Sequence, residues 1–165
     1  MKKLITSSII GILGLLIVSC GGDKSTEQTA AAPAASNETA APAADNGNPS
    51  YDPERGEGKF KDVEVGATLD VAMADAGTKV YDVKCSSCHK LTDEKLVGPG
   101  WAGVSKRRTP TWLMNFITNT NDMIDKDPEL QAQLELCLVR MPNQSLSDDE
   151  ARQLLEFMRK NDGVK

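Results

Sequence analysis

Residues 85–89 read Cys-Ser-Ser-Cys-His, and they constrain the chain more than any other stretch because His89 is its only histidine. Every task that needs an imidazole falls to that one ring. Sites built on two or three histidines are excluded, as are a two-Cys, two-His zinc finger and a chain holding several haems that each need a histidine. The run itself presents two thiols, Cys85 and Cys88, that can add across the two vinyl groups of one haem while the adjacent His89 reaches the iron. Three other readings compete. A thioredoxin-like redox pair requires a βαβ pattern around it, which the sequence lacks. A zinc site requires two further ligands, and only Cys20 and Cys137 remain. A Cys85–Cys88 disulfide leaves His89 without a task. Covalent haem, one per chain, is the reading that uses all three residues.

The N-terminus carries signals of export. Met1-Lys2-Lys3 is a short basic start, and the largely apolar run from Leu4 to Val18 is too short to span a bilayer comfortably, so residues 1–19 read as a signal peptide. The run ends Ile17-Val18-Ser19-Cys20-Gly21-Gly22, which resembles the lipobox of bacterial lipoproteins. That resemblance implies that Cys20 becomes the mature N-terminus and carries a diacylglyceryl group. Two or three acyl chains, at about 0.8 kcal/mol per buried methylene, make a stable anchor. An ordinary cleaved leader with a chance cysteine is the other reading. Residues 20–50 contain three prolines, Pro33, Pro42 and Pro49, and after Cys20 no apolar residue larger than alanine. Such a segment cannot offset its ordering entropy by burial and is expected to be a disordered tether, with a reach of roughly 30 Å.

Charge narrows the partners. The formal net charge is -5, with 19 Lys and Arg against 24 Asp and Glu, and loss of Lys2 and Lys3 with the leader makes it -7. Nucleic acid is thereby excluded as a partner.

From Tyr51 to Lys165 the composition is that of a folded domain, with residues 51–68 expected as an irregular strap. Met73, Gly77, Val80 and Tyr81 share a helical face that runs into Cys85. A second helix is capped by Thr109 with Pro110 at its first position and Trp112, Leu113, Phe116 and Ile117 on its apolar side. A third starts by the same device at Asp127-Pro128, with Leu130, Leu134, Cys137 and Leu138 on one face, and stops before Pro142. Ser147-Asp148-Asp149-Glu150 is a capping box opening the last helix, whose stripe is Ala151, Leu154, Leu155 and Met158, with Gly163 as its stop. No period-2 alternation is sustained anywhere, so the domain reads as all-α.

These positions together resemble class I, mono-haem c-type cytochromes from about Gly77 to Asp162. Gly77, Tyr81 and Cys85, each four apart, match the family's glycine, aromatic and first haem cysteine. The resemblance implies close crossing of the last helix at Gly77, with Leu154 and Phe157 packing there. Gly98-Pro99 matches the glycine-proline pair whose proline carbonyl accepts a hydrogen bond from the ligand imidazole, although Gly98-Pro99-Gly100 also reads simply as a turn. The family places its methionine ligand just before the C-terminal helix, where Arg140-Met141-Pro142-Asn143 stands here, 52 residues after His89. Met123, in what reads as a polar loop from Asn119 to Asp127, is the runner-up, and Met73, Met114 and Met158 read as core residues on helices. The implied fold is a bundle of four to five helices around one covalently attached haem c.

His/Met ligation leaves no open iron site and points to a one-electron carrier rather than an enzyme. The implied setting is a respiratory chain in the periplasm, with the protein exported and lipid-anchored to the bacterial cell envelope membrane. Family donors and acceptors are a quinol-oxidising complex and a terminal oxidase or exported reductase, such as one for nitrogen oxides. The alternative is a haem-based sensor or peroxidase-like enzyme in which the methionine is displaced. Three further features remain open. Cys137 reads as a buried small hydrophobe, with replacement of the methionine ligand or an intermolecular disulfide as alternatives. Lys106-Arg107-Arg108 could bond a haem propionate, meet an acidic partner or simply be solvated. Trp101 and Trp112 are expected to line the haem pocket.

Overall fold

The computed structural model describes residues 50–165. The segments expected as a signal peptide and a tether, with Cys20 between them, lie outside the described residues except for Ser50. Six helices follow in order: α1 (Val71–Lys84), α2 (Val104–Arg107), α3 (Pro110–Thr118), α4 (Thr120–Lys126), α5 (Pro128–Cys137) and α6 (Asp148–Asn161). No strand occurs among the described residues, only an isolated bridge between His89 and Lys95. The bundle is therefore all-α, with six helices where four to five were expected.

Local chemistry explains most of the starts. Thr109 accepts from the Trp112 N–H ahead of Pro110, and Asp127 accepts from the Glu129 and Leu130 N–H groups ahead of Pro128. Each proline sits where an N–H would have no helical partner. Ser147 and Glu150 form both bonds of the capping box, and Asp70 caps α1 through the Met73 N–H. The additional helices are short: α2 is a single turn, and α4 occupies the segment expected as a polar loop. Its Met123 and Ile124 are buried, so tertiary packing stabilises a helix that composition alone does not announce.

The two longest helices cross at Gly77. A Cβ there would stand 2.1 Å from the Gln153 carbonyl oxygen and 2.8 Å from Phe157 Cβ. Gln153 and Phe157, rather than Leu154, are the nearest neighbours. Ala151, Leu154, Leu155 and Met158 of α6 are all buried as expected, and each of the larger ones contributes about 1.5–3 kcal/mol. On α1 the buried face is Ala74, Gly77, Val80 and Tyr81, and Met73 lies outside it, 37% exposed. Met114 and Met158 are core residues.

Residues 51–68 form no helix, and their hydrogen bonds run instead to side chains of α3 and α4. Asn115 accepts from the Phe60 N–H and donates to the carbonyls of Arg55 and Phe60; Thr111 accepts from the Val63 N–H, and Asn119 donates to the Glu57 carbonyl. Buried Asp127 joins three parts of the domain: it caps α5, and its other oxygen accepts from Tyr51 and from Trp112 Nε1. At the far end of the strap, buried Arg159 donates to the Gly66 carbonyl and pairs with fully buried Glu156. These bonds satisfy backbone groups that an irregular segment would otherwise leave unpaired.

Candidate cofactor site

The chain turns tightly where α1 ends. The Cys85 and Ser86 N–H groups both donate to the Tyr81 carbonyl at 2.9 Å, and those of Cys88 and His89 donate to the Cys85 carbonyl at 3.0 Å. The turn brings Cys85, Cys88 and His89 to the wall of one cavity of about 310 Å³. Pro99 and Met141 line the same cavity. Three segments, holding residues 85–89, Pro99 and Met141, thus meet at one site, among apolar side chains that include Phe116, Ile124, Leu130 and Leu134.

His89 is held on several sides. Its Nδ1 lies 2.8 Å from the Pro99 carbonyl oxygen. A carbonyl only accepts, so Nδ1 carries the proton and the Nε2 lone pair is left for a ligand. Gly98 lies flat against the ring, where a Cβ would come within 2.4 Å of Cε1. The Val97 and Gly98 N–H groups donate to the Cys88 carbonyl, closing the loop back on the motif. Trp101 stacks 5.3 Å from the imidazole, and Tyr81 Oη donates to the His89 carbonyl at 2.7 Å. Burial lowers the His89 pKa, and the bond to Pro99 opposes that shift in part. The ring is kept neutral, the state that ligates a metal.

The thiols do not suit the competing chemistries. Burial pushes Cys85 up to about 11, whereas a redox-active dithiol needs a depressed pKa. Cys85 and Cys88 are not joined to each other, and no group of three or more His, Cys, Asp or Glu side chains among the described residues could hold a metal ion by itself. Two thiols and a neutral imidazole on one apolar cavity, with a thioether sulfur also on its wall, do fit a haem. Cys85 and Cys88 would hold its vinyl-derived carbons, and His89 and Met141 would face its iron.

Several expectations are corrected. Met123 is fully buried away from the cavity wall, under Gly56, and its sulfur accepts from the Glu57 N–H at 2.9 Å. It is part of the packing under the strap. Neither Trp101 nor Trp112 lines the cavity: Trp101 stands behind His89, and Trp112 stacks on Phe116 and bonds Asp127. Cys137 is only half-buried and lines the cavity, and Leu138, expected on the same buried face, is 85% exposed. In the basic run, Arg107 donates to the Ala102 carbonyl, and Arg108 pairs with Glu129 and lies over Trp112. None of the three basic residues reaches the cavity wall. Lys95 and Arg140 tie the cavity's edge together, and nothing in the sequence next to either one announces that role.

The family described as Cytochrome c matches residues 74–162. The structure of cytochrome c from Rhodothermus marinus matches with a TM-score of 0.61 and 34% identity, covering 64% of this chain and 90% of that one. An engineered form of the same protein matches with a TM-score of 0.61 and 33% identity, with the same coverage of both chains. Another structure of the engineered form, bound to a carbene intermediate, gives 0.58 and 33%, again covering 64% of this chain and 90% of that one. None of the curated proteins matches the sequence.

Proposed function

The chain belongs to the cytochrome c family, and from that premise we propose that it is a membrane-tethered electron carrier of a periplasmic respiratory chain. The family binds haem c covalently, and the haem iron supplies reversible one-electron chemistry. The residues of this chain do the rest. Cys85 and Cys88 would hold the group in place, and His89, aligned by Pro99, would offer its Nε2 to the iron. Met141, on the same cavity wall, would offer its sulfur. Held by both residues, the iron would have no position left for oxygen, peroxide or another substrate, and a methionine sulfur would raise its potential.

The observation that carries this reading is the bond from His89 Nδ1 to the Pro99 carbonyl at a cavity that Met141 also lines. The lipobox-like end of the leader supports a lipid on Cys20. No helix among the described residues is long and apolar enough to cross a membrane. A tether of about 30 residues raises the local concentration of the domain near membrane partners, which offsets the weakness of electron-transfer encounters. The donor class is a quinol-oxidising complex, and the acceptor class is a terminal oxidase or an exported reductase.

Absorption spectra of the purified protein, oxidised and reduced, test the assignment. The expected result is a low-spin spectrum with the weak near-red band of iron-methionine ligation, lost in Met141→Ala and kept in Met123→Ala. Rapid carbon monoxide binding by the reduced native protein would favour a sensor or enzyme and overturn the carrier.

A further inference from the structure

One residue of the strap makes three separate attachments to a single helix. The Glu57 N–H donates to Met123 Sδ at 2.9 Å, its carbonyl accepts from Asn119 Nδ2 at 3.1 Å, and its carboxylate pairs with Lys126 at 3.3 Å. Asn119 is the N-cap of α4, and Met123 and Lys126 lie within it. The fit is close. A Cβ on Gly56 would stand 2.6 Å from both Sδ and Cε of the fully buried Met123, so the strap backbone rests directly on that side chain.

Helix α4 depends on such attachments. It has 7 residues, too few to be stable alone, and single residues, Asn119 and Asp127, separate it from α3 and α5. Neither joint is helical, with ψ of 47° at Asn119 and 116° at Asp127, so α4 does not inherit its direction from its neighbours. Packing sets it, and the strap holds the side that carries Met123. By the 3.6-residue period, Asn119, Met123 and Lys126 share one face, and Asn121 and Asp125 lie on the opposite one. That opposite side holds the methionine segment: Arg140 Nη2 donates to the Asn121 carbonyl at 2.9 Å and to Asp125 Oδ1 at 2.8 Å. Arg140 and its neighbour Met141 both line the cofactor cavity, whereas Glu57 does not.

We propose that Glu57 is a positioning residue for the iron's methionine: it holds α4 from the strap side, α4 presents the two acceptors that Arg140 reaches, and Arg140 sets the place of Met141. The proposal rests on the reading of Met141 as an iron ligand and names what keeps that ligand in register. Loosening the strap's hold on α4 then weakens Met141 as a ligand while the fold survives. An added imidazole competes more effectively: its nitrogen bonds to the iron as the bond from iron to the methionine sulfur breaks, with no electron transferred.

The test is titration of imidazole into the oxidised, haem-loaded full chain, followed through loss of the near-red band, with denaturant unfolding of the same samples. The Asn119→Ala/Met123→Leu variant removes the donor to the Glu57 carbonyl and the acceptor of its N–H. Leucine nearly conserves the volume of methionine, and Asn119 makes no side-chain bond as a cap that alanine would lose. Thr111→Val is the comparison, because Thr111 accepts from the Val63 N–H and ties the strap to α3 instead. Imidazole affinity is expected to rise about threefold or more in the double variant and to stay within about 1.5-fold of native in Thr111→Val, whatever stability each loses. In an Arg140→Ala background, where the route is already cut, the same two substitutions are expected to add less than about 1.5-fold. Asn119→Ala alone, which leaves the buried methionine in place, is expected to show the rise should the double variant not fold. Native affinity in the folded strap variants overturns the proposal, since a strap that only stabilises the domain would move the unfolding transition alone. An equal rise in Thr111→Val overturns it as well, and so does a full effect in the Arg140→Ala background. A native protein without the near-red band would instead overturn the assignment of Met141 on which the proposal rests.

Discussion

The two residues proposed as iron ligands, His89 and Met141, sit in segments built in opposite ways. Around His89, backbone bonds to backbone: Cys85, Tyr81, Cys88 and Lys90 carbonyls all accept from nearby N–H groups, and Gly98, Trp101 and Tyr81 enclose the ring and its carbonyl. Around Met141, residues 139–146 make no backbone–backbone hydrogen bond among the described residues. That segment is tied by side chains instead: Arg140 to Asn121 and Asp125, and Lys84 to the Gln144 carbonyl. Leu138 and Ser145, both with positive φ, bracket it. A ligand set by backbone geometry is fixed with the fold. One set by exposed side-chain ties is fixed only as firmly as those ties and the bond it would make to iron. The histidine side is the frame, and the methionine side is the adjustable part.

The largest expected effect tests whether the frame stands without its cofactor. In a Cys85→Ala/Cys88→Ala variant haem is not attached, and the cavity between α1, α5 and the loop after His89 is left without its filling. Circular dichroism is expected to show most of the helical signal lost, and full native helicity would show that the frame is self-sufficient. Next comes the crossing that supports it. Gly77→Ala places a methyl group against the Gln153 backbone, which cannot move aside as a flexible side chain could. A loss of about 3 kcal/mol in denaturant unfolding is expected, with the near-red band intact wherever the protein remains folded.

The frame was largely legible because its signals are local. Thr109-Pro110, Asp127-Pro128 and the Ser147 capping box each specify a helix start within four residues, and the Cys85–His89 run states its chemistry in five. What escaped was set by tertiary placement. Residues 120–126 are mostly polar, and only the burial of Met123 beneath the strap, beside Gly56, makes a helix of them. Met73 lies on the same side of α1 as Gly77 by spacing alone, yet the narrow crossing admits Ala74 and leaves Met73 at the edge. Cys137 and Leu138 extend the spacing of Leu130 and Leu134, but α5 ends between them, so one turns to the cavity and the other to solvent. Trp112 was expected to line the haem pocket, and nothing local shows otherwise; its indole N–H donates instead to Asp127, fifteen residues on, at 2.9 Å.

On the adjustable side a tie can be cut without harming the fold. The Arg140–Asp125 pair is largely exposed, so Arg140→Ala is expected to change global stability by less than about 1 kcal/mol. It removes the segment's bonds to α4, and Met141 would then be held mainly by the proposed bond to iron. Imidazole added to the oxidised protein should compete with Met141 more effectively, by about threefold to tenfold in apparent affinity, which corresponds to about 0.7–1.4 kcal/mol. Arg140→Lys, which keeps the charge but not the forked geometry, is expected to restore part of the difference. Equal imidazole affinity in all three proteins would mean that the methionine side is as firmly built as the histidine side.

The smallest effect separates strain from attachment at the start of that segment. Leu138 holds a left-handed backbone at the end of α5, where glycine has no steric cost. Leu138→Gly removes that cost, partly offset by the greater freedom glycine has in the unfolded chain, so a gain of up to about 1 kcal/mol is expected in denaturant unfolding. If strain at Leu138 also pulls on Met141, imidazole affinity should fall in the same variant. If it only terminates α5, affinity stays at the native value while stability rises. The second outcome is expected, because two residues with no backbone ties, Val139 and Arg140, separate Leu138 from Met141 and can absorb the change.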